Sequence, residues 1–274
     1  MPTWMGRVWR GSLLALLLTC GCTGYLTAEE GACVLPEDVL PGDERVPKIV
    51  GGEVAEDDPA VVGILPEAGD IFCSGTLVAE QVVLTAAHCV QDRVATDLRV
   101  HFGVTADDGV RVRVIASAIH PDFVPAPAYD NDLAMLLLEA PVGSDVATPA
   151  RLATCVAAPL VGADVKLVGF GRADTADLGP PFKREGSAEV RWVQGATFTS
   201  GALPSQACHG DSGGPAYLRF AEHDYLVGVV SHGDRGCERF TTFTRVDAFY
   251  ESFIVHYLSV PGGEPSGELD GIAD

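Results

Sequence analysis

The chain has 274 residues, of which 47% are hydrophobic, enough for one large domain or for two half-sized units that share a site. The formal net charge is −20, with 38 acidic and 18 basic side chains, which argues against nucleic acid or an anionic membrane surface as a partner. We interpret the acidity as a means of staying soluble in a salty or extracellular medium.

Residues 1–21 have the features of an export signal. Arg7 and Arg10 precede the apolar run Leu13–Leu18, which is much shorter than the about 20 residues that cross a bilayer. No later stretch is long and apolar enough to be a transmembrane helix. We therefore expect a signal peptide over 1–21 and an extracytoplasmic protein, in a compartment where disulfides persist.

Two of the eight cysteines, Cys20 and Cys22, stand at the end of this apolar run. Gly21 is the small residue expected before a lipidated cysteine, so the placement resembles the lipid-attachment site of bacterial lipoproteins, with Cys22 as the modified residue. Thr19 departs from the pattern, because leucine is usual there. Free secretion and a lipid anchor at the bacterial cell envelope both remain open. Lipid on Cys22 would leave six cysteines for three pairs.

The rest of the chain divides into three regions that differ in composition and apolar pattern. Residues 22–48 are polar, acidic and proline-containing, and we interpret them as a linker or pro-segment. Short β-type runs separated by Asp, Gly and Pro then favour an all-β sandwich or barrel pair over 49–258. Apolar residues at helical spacing predict a C-terminal amphipathic helix over Asp247–Leu258, and 259–274 has the composition of a disordered acidic tail. The predicted strands are Val61–Leu65, Thr76–Val78, Gln81–Thr85, Leu98–Phe102, Val110–Ile119, Leu133–Leu138, Val165–Val168, Ala188–Val193, Pro215–Arg219, Tyr225–Ser231 and Thr241–Thr244.

The segment Cys208–Pro215 contains a serine, Ser212, with an acid before it and two glycines after it. Glycines allow positive φ and let a substrate backbone approach, which suits a nucleophile on a tight turn. An ordinary glycine-rich turn is the alternative.

A histidine and an aspartate elsewhere in the chain give this serine possible partners. His88 ends one β-type run and Asp132 opens another. Alone, His88 has the pattern of a satisfied surface or core histidine, and Asp132 that of a turn acid. In the order His, Asp, Ser, and with several further motifs, the chain resembles the chymotrypsin/trypsin-like serine proteases. The further motifs are Ile49–Gly52, Cys73–Val78, Gly169–Gly171, Ser231–Gly233 and Phe243–Val246.

The resemblance implies a fold and a mechanism. The fold is two packed antiparallel six-stranded β-barrels with a C-terminal α-helix, and the substrates are proteins or peptides, cleaved without a cofactor or metal. Ser212 would attack the scissile carbonyl, His88 would act as the base, and Asp132 would hold the imidazole. The backbone N–H groups of Gly210 and Ser212 would form the oxyanion hole, and Ser231 would hydrogen-bond the buried acid and pair with extended substrate.

The same resemblance gives Asp211 a role in activation. A buried acid needs a cation, and in this family the cation is the α-amino group released by cleavage before Ile49. The bond to be cut here is Lys48–Ile49, so the chain is expected to be a zymogen. The alternative is that Ile49–Gly52 only begins a strand.

Three disulfides are also implied by the resemblance. They are Cys73–Cys89 beside His88, Cys208–Cys237 beside the nucleophile, and Cys33–Cys155, which would keep the pro-segment attached after cleavage. Cys155 is shifted relative to the family pattern. The short stretch Val193–Ala207 lacks the cysteine pair and helix of vertebrate members, which suggests a compact bacterial-type protein.

The expected substrate pocket is uncharged. Gln206 stands where trypsin-like members have Asp, Gly233 leaves the pocket mouth open, and Thr241 replaces a usual glycine and should reduce the depth. Small-to-medium uncharged residues are therefore expected before the scissile bond, and cleavage after Lys48 needs a separate activating protease. His232 and His209 should line the cleft and make cleavage sensitive to pH, unless both are solvated loop residues.

Other functions fit the same residues less well. A catalytically silent homologue acting as an extracellular binding protein would usually lose a triad residue or the activation site. An esterase of the α/β-hydrolase type would have the order Ser, Asp, His on a strand–turn–helix, unlike this chain. The acids Asp107 and Asp108 are a weak set of calcium ligands and fit a solvated turn better.

Overall fold

The structure is a computed structural model that describes residues 32–34, 49, 53–156, 160–172, 181–220 and 222–258. The predicted signal peptide, Cys22, Lys48 and the predicted tail lie outside the described residues. Two short strands, β1 (Ala32–Val34) and β2 (Glu53–Val54), come first in the chain. Part of the predicted pro-segment is thus a strand of the folded body.

The first barrel is closed and has six antiparallel strands in the order β3-β4-β5-β8-β7-β6. Its apolar strands face a common core; all four residues of β5, for example, are buried. The antiparallel neighbours β4 and β5 are joined by a short turn, residues 80–81. The strands are β3 (Val61–Pro66), β4 (Cys73–Ala79), β5 (Val82–Thr85), β6 (Leu98–Phe102), β7 (Val110–Ile119) and β8 (Ala134–Leu138).

The second barrel also closes with six antiparallel strands, because β14 pairs with both β13 and β15. Phe198 and Phe243 stack in its core with ring centroids 4.7 Å apart, and Gly228 leaves the room for Phe198. Outside the closed ring, β9 and β1 extend the sheet in parallel from β14, and β2 pairs with β11. The strands are β9 (Arg151–Val156), β10 (Asp164–Gly169), β11 (Arg184–Gln194), β12 (Thr197–Pro204), β13 (Pro215–Phe220), β14 (His223–Gly233) and β15 (Thr241–Arg245).

A C-terminal helix follows β15 and packs on the core of the first barrel. It has an α-helical turn at Val246–Phe249, a π-helical turn at Tyr250–Ile254 and an α-helical turn at Val255–Leu258. The predicted all-β fold, with two six-stranded antiparallel barrels and this helix, is confirmed. Within the described ranges we find no helix that is long and apolar enough to cross a membrane.

Candidate active site

His88 and Asp132 come from neighbouring strands of the first barrel. His88 lies in a short 3₁₀ turn, Ala87–Cys89, directly after β5, and Asp132 lies just before β8. The register of the two strands places Thr85 opposite Ala134. The residue that leaves β5 and the residue that enters β8 therefore meet at one edge of the barrel.

Asp132 is fully buried and makes three short hydrogen bonds. Its Oδ2 lies 2.7 Å from His88 Nδ1 and accepts the Ser231 hydroxyl at 2.6 Å, while its Oδ1 accepts the His88 backbone N–H at 2.9 Å. A carboxylate held in this way fixes both the orientation of the imidazole and the tautomer with its proton on Nδ1. His88 Nε2 is then left as the acceptor.

Ser212 is carried to the same place by the second barrel. Its carbonyl oxygen accepts the Ser74 N–H at 2.8 Å, and the next residue, Gly213, donates its N–H to Val230 at 2.7 Å. Gly213 has φ +82°, which favours glycine. Cys89 Sγ lies 3.6 Å from the Ser212 carbonyl oxygen and 3.8 Å from His88 Nε2. Among the described residues no hydrogen bond joins Ser212 Oγ to His88 Nε2, a contact that is often long without substrate.

Gly210 has a backbone that only glycine adopts readily, with φ +104°. Both carbonyl groups around its Cα are hydrogen-bonded: that of His209 accepts the Arg172 N–H at 3.0 Å, and that of Gly210 accepts the Ser74 hydroxyl at 2.9 Å. The turn before Ser212 is therefore fixed on both sides of the glycine.

Asp211 is fully buried behind this turn. Its Oδ1 accepts the Gly171 N–H at 2.7 Å and its Oδ2 accepts the Cys208 N–H at 2.9 Å. Burial raises the pKa of Asp211 to about 7 despite these two hydrogen bonds. Ile49 is 1% exposed and lies in the core of the second barrel, while its neighbour Lys48 is outside the described residues.

The predicted pocket residues Gln206 and Thr241 are both buried and contact each other. Gln206 Nε2 donates to Thr241 Oγ1 at 2.8 Å, and the Ala207 N–H lies 3.3 Å from the same oxygen. In the described part of the chain Gln206 Oε1 has no hydrogen-bond partner. Gly233 pairs with Thr241 across β14 and β15, so these predicted pocket residues do come together.

Tyr129 is a site residue that the sequence interpretation missed. Its ring lies 5.5 Å from that of His88, edge to face, and stacks on His232 at 5.0 Å, with φ +52° at its own backbone. Burial lowers the pKa of His232, so this imidazole favours the neutral form. His209, the other predicted cleft histidine, is exposed. Nothing in the local sequence marks Tyr129, because its role depends on the positive-φ turn before Asp132.

Asp234 is a second residue that was missed. Its Oδ1 accepts the N–H groups of Arg239 at 2.8 Å and Phe240 at 3.2 Å, which orders the loop around Cys237. The only signal was an acid at the start of a glycine-containing loop, a common turn residue.

Two of the predicted disulfides, Cys73–Cys89 and Cys208–Cys237, are confirmed. Cys155 is disulfide-bonded, and the register of β1 and β9 places Cys33 beside it. Each confirmed disulfide has a histidine close to its sulfur atoms, but oxidised sulfur is not a thiolate ligand for a metal. Asp108 accepts the N–H groups of Val104 and Thr105 and so caps its own turn.

Comparisons with known proteins agree with this fold. The family model "Trypsin" matches residues 49–253. Trypsin zeta of Drosophila erecta is 29% identical over 258 residues, covering 82% of this chain and 88% of that protein. A trypsin of Saccharopolyspora erythraea is 30% identical over 224 residues, covering 74% and 95%. A trypsin of Sarcophaga bullata is 30% identical over 235 residues, covering 76% and 85%. The chain therefore belongs to the trypsin family of chymotrypsin-like proteases and is a serine endopeptidase.

Proposed function

We propose that the chain hydrolyses peptide bonds with a triad of Ser212, His88 and Asp132. The observation that carries this proposal is the buried Asp132 carboxylate, which bonds both His88 Nδ1 and the Ser231 hydroxyl. Ser212 Oγ adds to the scissile carbonyl carbon as His88 Nε2 takes the hydroxyl proton. That proton then passes to the leaving amine, and water releases the acyl group by the same route. Asp132 stabilises the imidazolium that forms between these steps.

The N–H groups of Gly210 and Ser212 are the proposed donors to the oxyanion. Negative charge develops on the former carbonyl oxygen, and fixed backbone donors stabilise it without having to reorganise. The hydrogen-bonded carbonyls on both sides of Gly210 support this role, because they hold the turn in one conformation.

Asp132→Asn is the sharpest test of the triad. Asparagine keeps the shape of the side chain but favours the wrong imidazole tautomer, so kcat should fall by roughly 10⁴-fold. The exposed neighbour Asp130 supplies the control, since Asp130→Asn removes a nearby charge and leaves the Asp132 carboxylate on His88 in place. A similar small loss of kcat in Asp132→Asn and Asp130→Asn would contradict the proposed role of Asp132.

The protein is further proposed to be a zymogen that is activated by cleavage of Lys48–Ile49. The new ammonium group of Ile49 would give the buried Asp211 carboxylate the cation that a charge in this position requires. Cleavage can be controlled by replacing residues 44–48 with the enteropeptidase sequence Asp-Asp-Asp-Asp-Lys. The cut protein should gain activity, whereas a form with one alanine inserted before Ile49 should be cut and stay inactive. Equal activity of the two forms would exclude this mechanism.

Small-to-medium uncharged residues are the proposed preference before the scissile bond. The support is the buried Gln206–Thr241 pair, which puts two neutral polar side chains at this position. A peptide library profiled with the cut protein tests it, and strong cleavage after Arg or Lys would refute it. If the preference holds, a separate protease must cut after Lys48.

Export is the last part of the proposal, with either free secretion or a lipid anchor at Cys22. The disulfides support an extracellular location. Mass spectrometry of the mature N-terminus decides between the two forms, because it detects lipid on Cys22 and also reports cleavage at Lys48.

A further inference from the structure

Ser74, the second residue of β4, is fully buried and contacts the nucleophile turn from the opposite barrel. Its backbone N–H donates to the Ser212 carbonyl at 2.8 Å, and its own carbonyl accepts the Thr85 hydroxyl at 2.8 Å. The main chain of Ser74 is thereby fixed against the first barrel and against the loop that carries Ser212.

The hydroxyl of Ser74 has a defined direction. The Phe170 N–H lies 2.9 Å from Ser74 Oγ, and a backbone N–H can only donate, so the hydroxyl accepts this bond. The hydroxyl hydrogen is then directed to the carbonyl of Gly210, 2.9 Å away. One side chain therefore links the end of β10 to the residue two before the nucleophile.

This bond holds the glycine of the proposed oxyanion hole. Glycine changes φ and ψ at little cost, so Gly210 by itself would not keep its N–H in one direction. The Arg172 N–H holds the carbonyl before its Cα at 3.0 Å, and Ser74 holds the carbonyl after it. Because N–H and C=O point in opposite directions in a trans peptide, the bond to the His209 carbonyl directs the Gly210 N–H to the other side.

We propose that Ser74 is a positioning residue for catalysis, whose hydroxyl keeps the Gly210 N–H aimed at the developing oxyanion. The inference rests on the proposed catalytic role of Ser212 and Gly210. It assigns to the first barrel a part in transition-state stabilisation that is separate from the His88–Asp132 pair. Ser74 touches neither the substrate nor a reacting atom, and its effect is transmitted through Gly210.

The test compares Ser74→Ala with Thr76→Val, which removes a second buried hydroxyl from the same strand. Among the described residues the Thr76 hydroxyl makes no hydrogen bond to the nucleophile turn. Loss of a whole oxyanion donor costs roughly 10²–10³ in rate, so an indirect loss should lower kcat by about 10-fold with little change in KM. Thr76→Val should keep kcat within about twofold, and rates are counted per fluorophosphonate-titrated site.

Two peptide inhibitors separate positioning from general damage. With a peptide aldehyde, Ser212 Oγ adds to the aldehyde carbon, its proton passes to His88, and the carbonyl oxygen becomes the anion. With a peptide whose scissile amide is replaced by –CH₂–NH–, no such oxygen exists. Ser74→Ala should weaken binding of the aldehyde by the same factor by which it lowers kcat, and it should leave binding of the reduced peptide unchanged.

Several outcomes decide the matter. Unchanged kcat in folded Ser74→Ala overturns the inference, and so does equal weakening of both inhibitors, which would indicate a structural role only. If Ser74→Ala does not fold, Ser74→Gly is measured in the same way, with the same expected direction of change. If the cut wild-type protein neither reacts with the fluorophosphonate nor hydrolyses peptides, the proposed function itself fails, and the inference fails with it.

Discussion

At the residue scale, Asp211 is the side chain whose charge the proposed cleavage before Ile49 should change most. In the uncut protein, burial raises its pKa to about 7, which lies above the value in an unfolded chain. The carboxyl group therefore stabilises the folded state most at low pH, and this contribution is lost as the pH rises towards 7. A partner ammonium group would reverse the shift.

The prediction for Asp211 concerns the uncut protein in an inactive Ser212→Ala background. Its melting temperature should fall between about pH 4 and about pH 7, and Asp211→Asn should remove most of that fall because the amide does not titrate. In the cut protein the Ile49 ammonium group should also remove it. Scanning calorimetry measures the melting temperature against pH for the uncut protein, its Asp211→Asn variant and the cut protein. The same pH dependence in all three would show that Asp211 is not the group responsible.

Gln206 permits a prediction about specificity. Gln206→Asp places a carboxyl group beside Thr241 in a buried position, where an unpaired charge is costly. A cationic side chain of the substrate would relieve that cost, so kcat/KM for Arg and Lys before the scissile bond should rise by about 10-fold or more. Library profiling of the variant beside the wild type measures the change. An unaltered profile would mean that residue 206 does not face the substrate.

At the scale of elements, the strands of the first barrel were predictable, whereas β12 of the second barrel and β9 beside that barrel were not. Leu98–Phe102 and Val110–Ile119 were predicted with the bounds that the structure shows. The strands Arg151–Val156 and Thr197–Pro204 were missed, since the threonines, alanines and glycine in them give little apolar alternation. They form because neighbouring strands supply their hydrogen bonds.

The candidate site was predictable to a similar extent. The motifs around His88, Asp132 and Ser212 are weak one by one and indicate a protease only in combination. The structure places the His88 ring against Asp132, and it places the Ser212 carbonyl and His88 Nε2 near Cys89 of the Cys73–Cys89 disulfide. Ser74 and Tyr129 have no comparable signal, because their contacts cross between barrels or depend on one backbone turn. Residues whose function arises from tertiary contacts are the ones that sequence reasoning missed.

Lys183 connects elements of both barrels and was also missed. Lys183 is 2% exposed, and its Nζ donates to the backbone carbonyl of Asp58 at 2.7 Å. The backbone carbonyl of Lys183 accepts the Ala55 N–H at 3.0 Å. Burial lowers the pKa of Lys183 to about 8, although the Asp58 carboxylate acts in the opposite direction. The buried Lys183 cation thus links the segment between β2 and β3 to the start of β11. Burying this charge costs free energy of folding.

The prediction for Lys183 follows from the sign of this shift. An unfolded lysine keeps its proton up to about pH 10.4, so between pH 8 and that value the folded state should gain stability as the pH rises. Lys183→Met should flatten this rise, measured as the difference in melting temperature from the wild type. Lys166→Met is the contrast: burial lowers the pKa of Lys166, but the carboxylates of Asp58, 2.8 Å away, Glu185 and Asp224 together outweigh burial and raise it. A steeper rise in Lys183→Met would contradict the account.

At the scale of the whole molecule, the site exists only where the two barrels meet. The first barrel supplies His88 and Asp132, the second supplies Ser212, and Ser231 of the second barrel donates to Asp132 of the first. The proposed cleavage at Lys48–Ile49 should act through Ile49 and Asp211 of the second barrel, and so reach the site through the neighbouring Ser212.

The N-terminal segment should also stay attached after that cleavage. Strand β1 pairs with β9, Cys33 lies beside Cys155 in the register, and Cys155 is disulfide-bonded. On a gel the cut protein should keep its pro-segment without reductant and lose it with reductant, whereas Cys155→Ala should lose it in both conditions. Loss from the cut wild type without reductant would disprove the tether.

Covalent labelling of the cut protein tests the central claim most directly. A fluorophosphonate probe reacts with a serine only when its base and its oxyanion donors are in place. We expect the cut wild type to carry one probe, located on Ser212 by peptide mass spectrometry, and we expect no label on cut His88→Ala or on the uncut protein. A folded, correctly cut wild type that stays unlabelled and hydrolyses no peptide would contradict the claim and leave a catalytically silent member of the family.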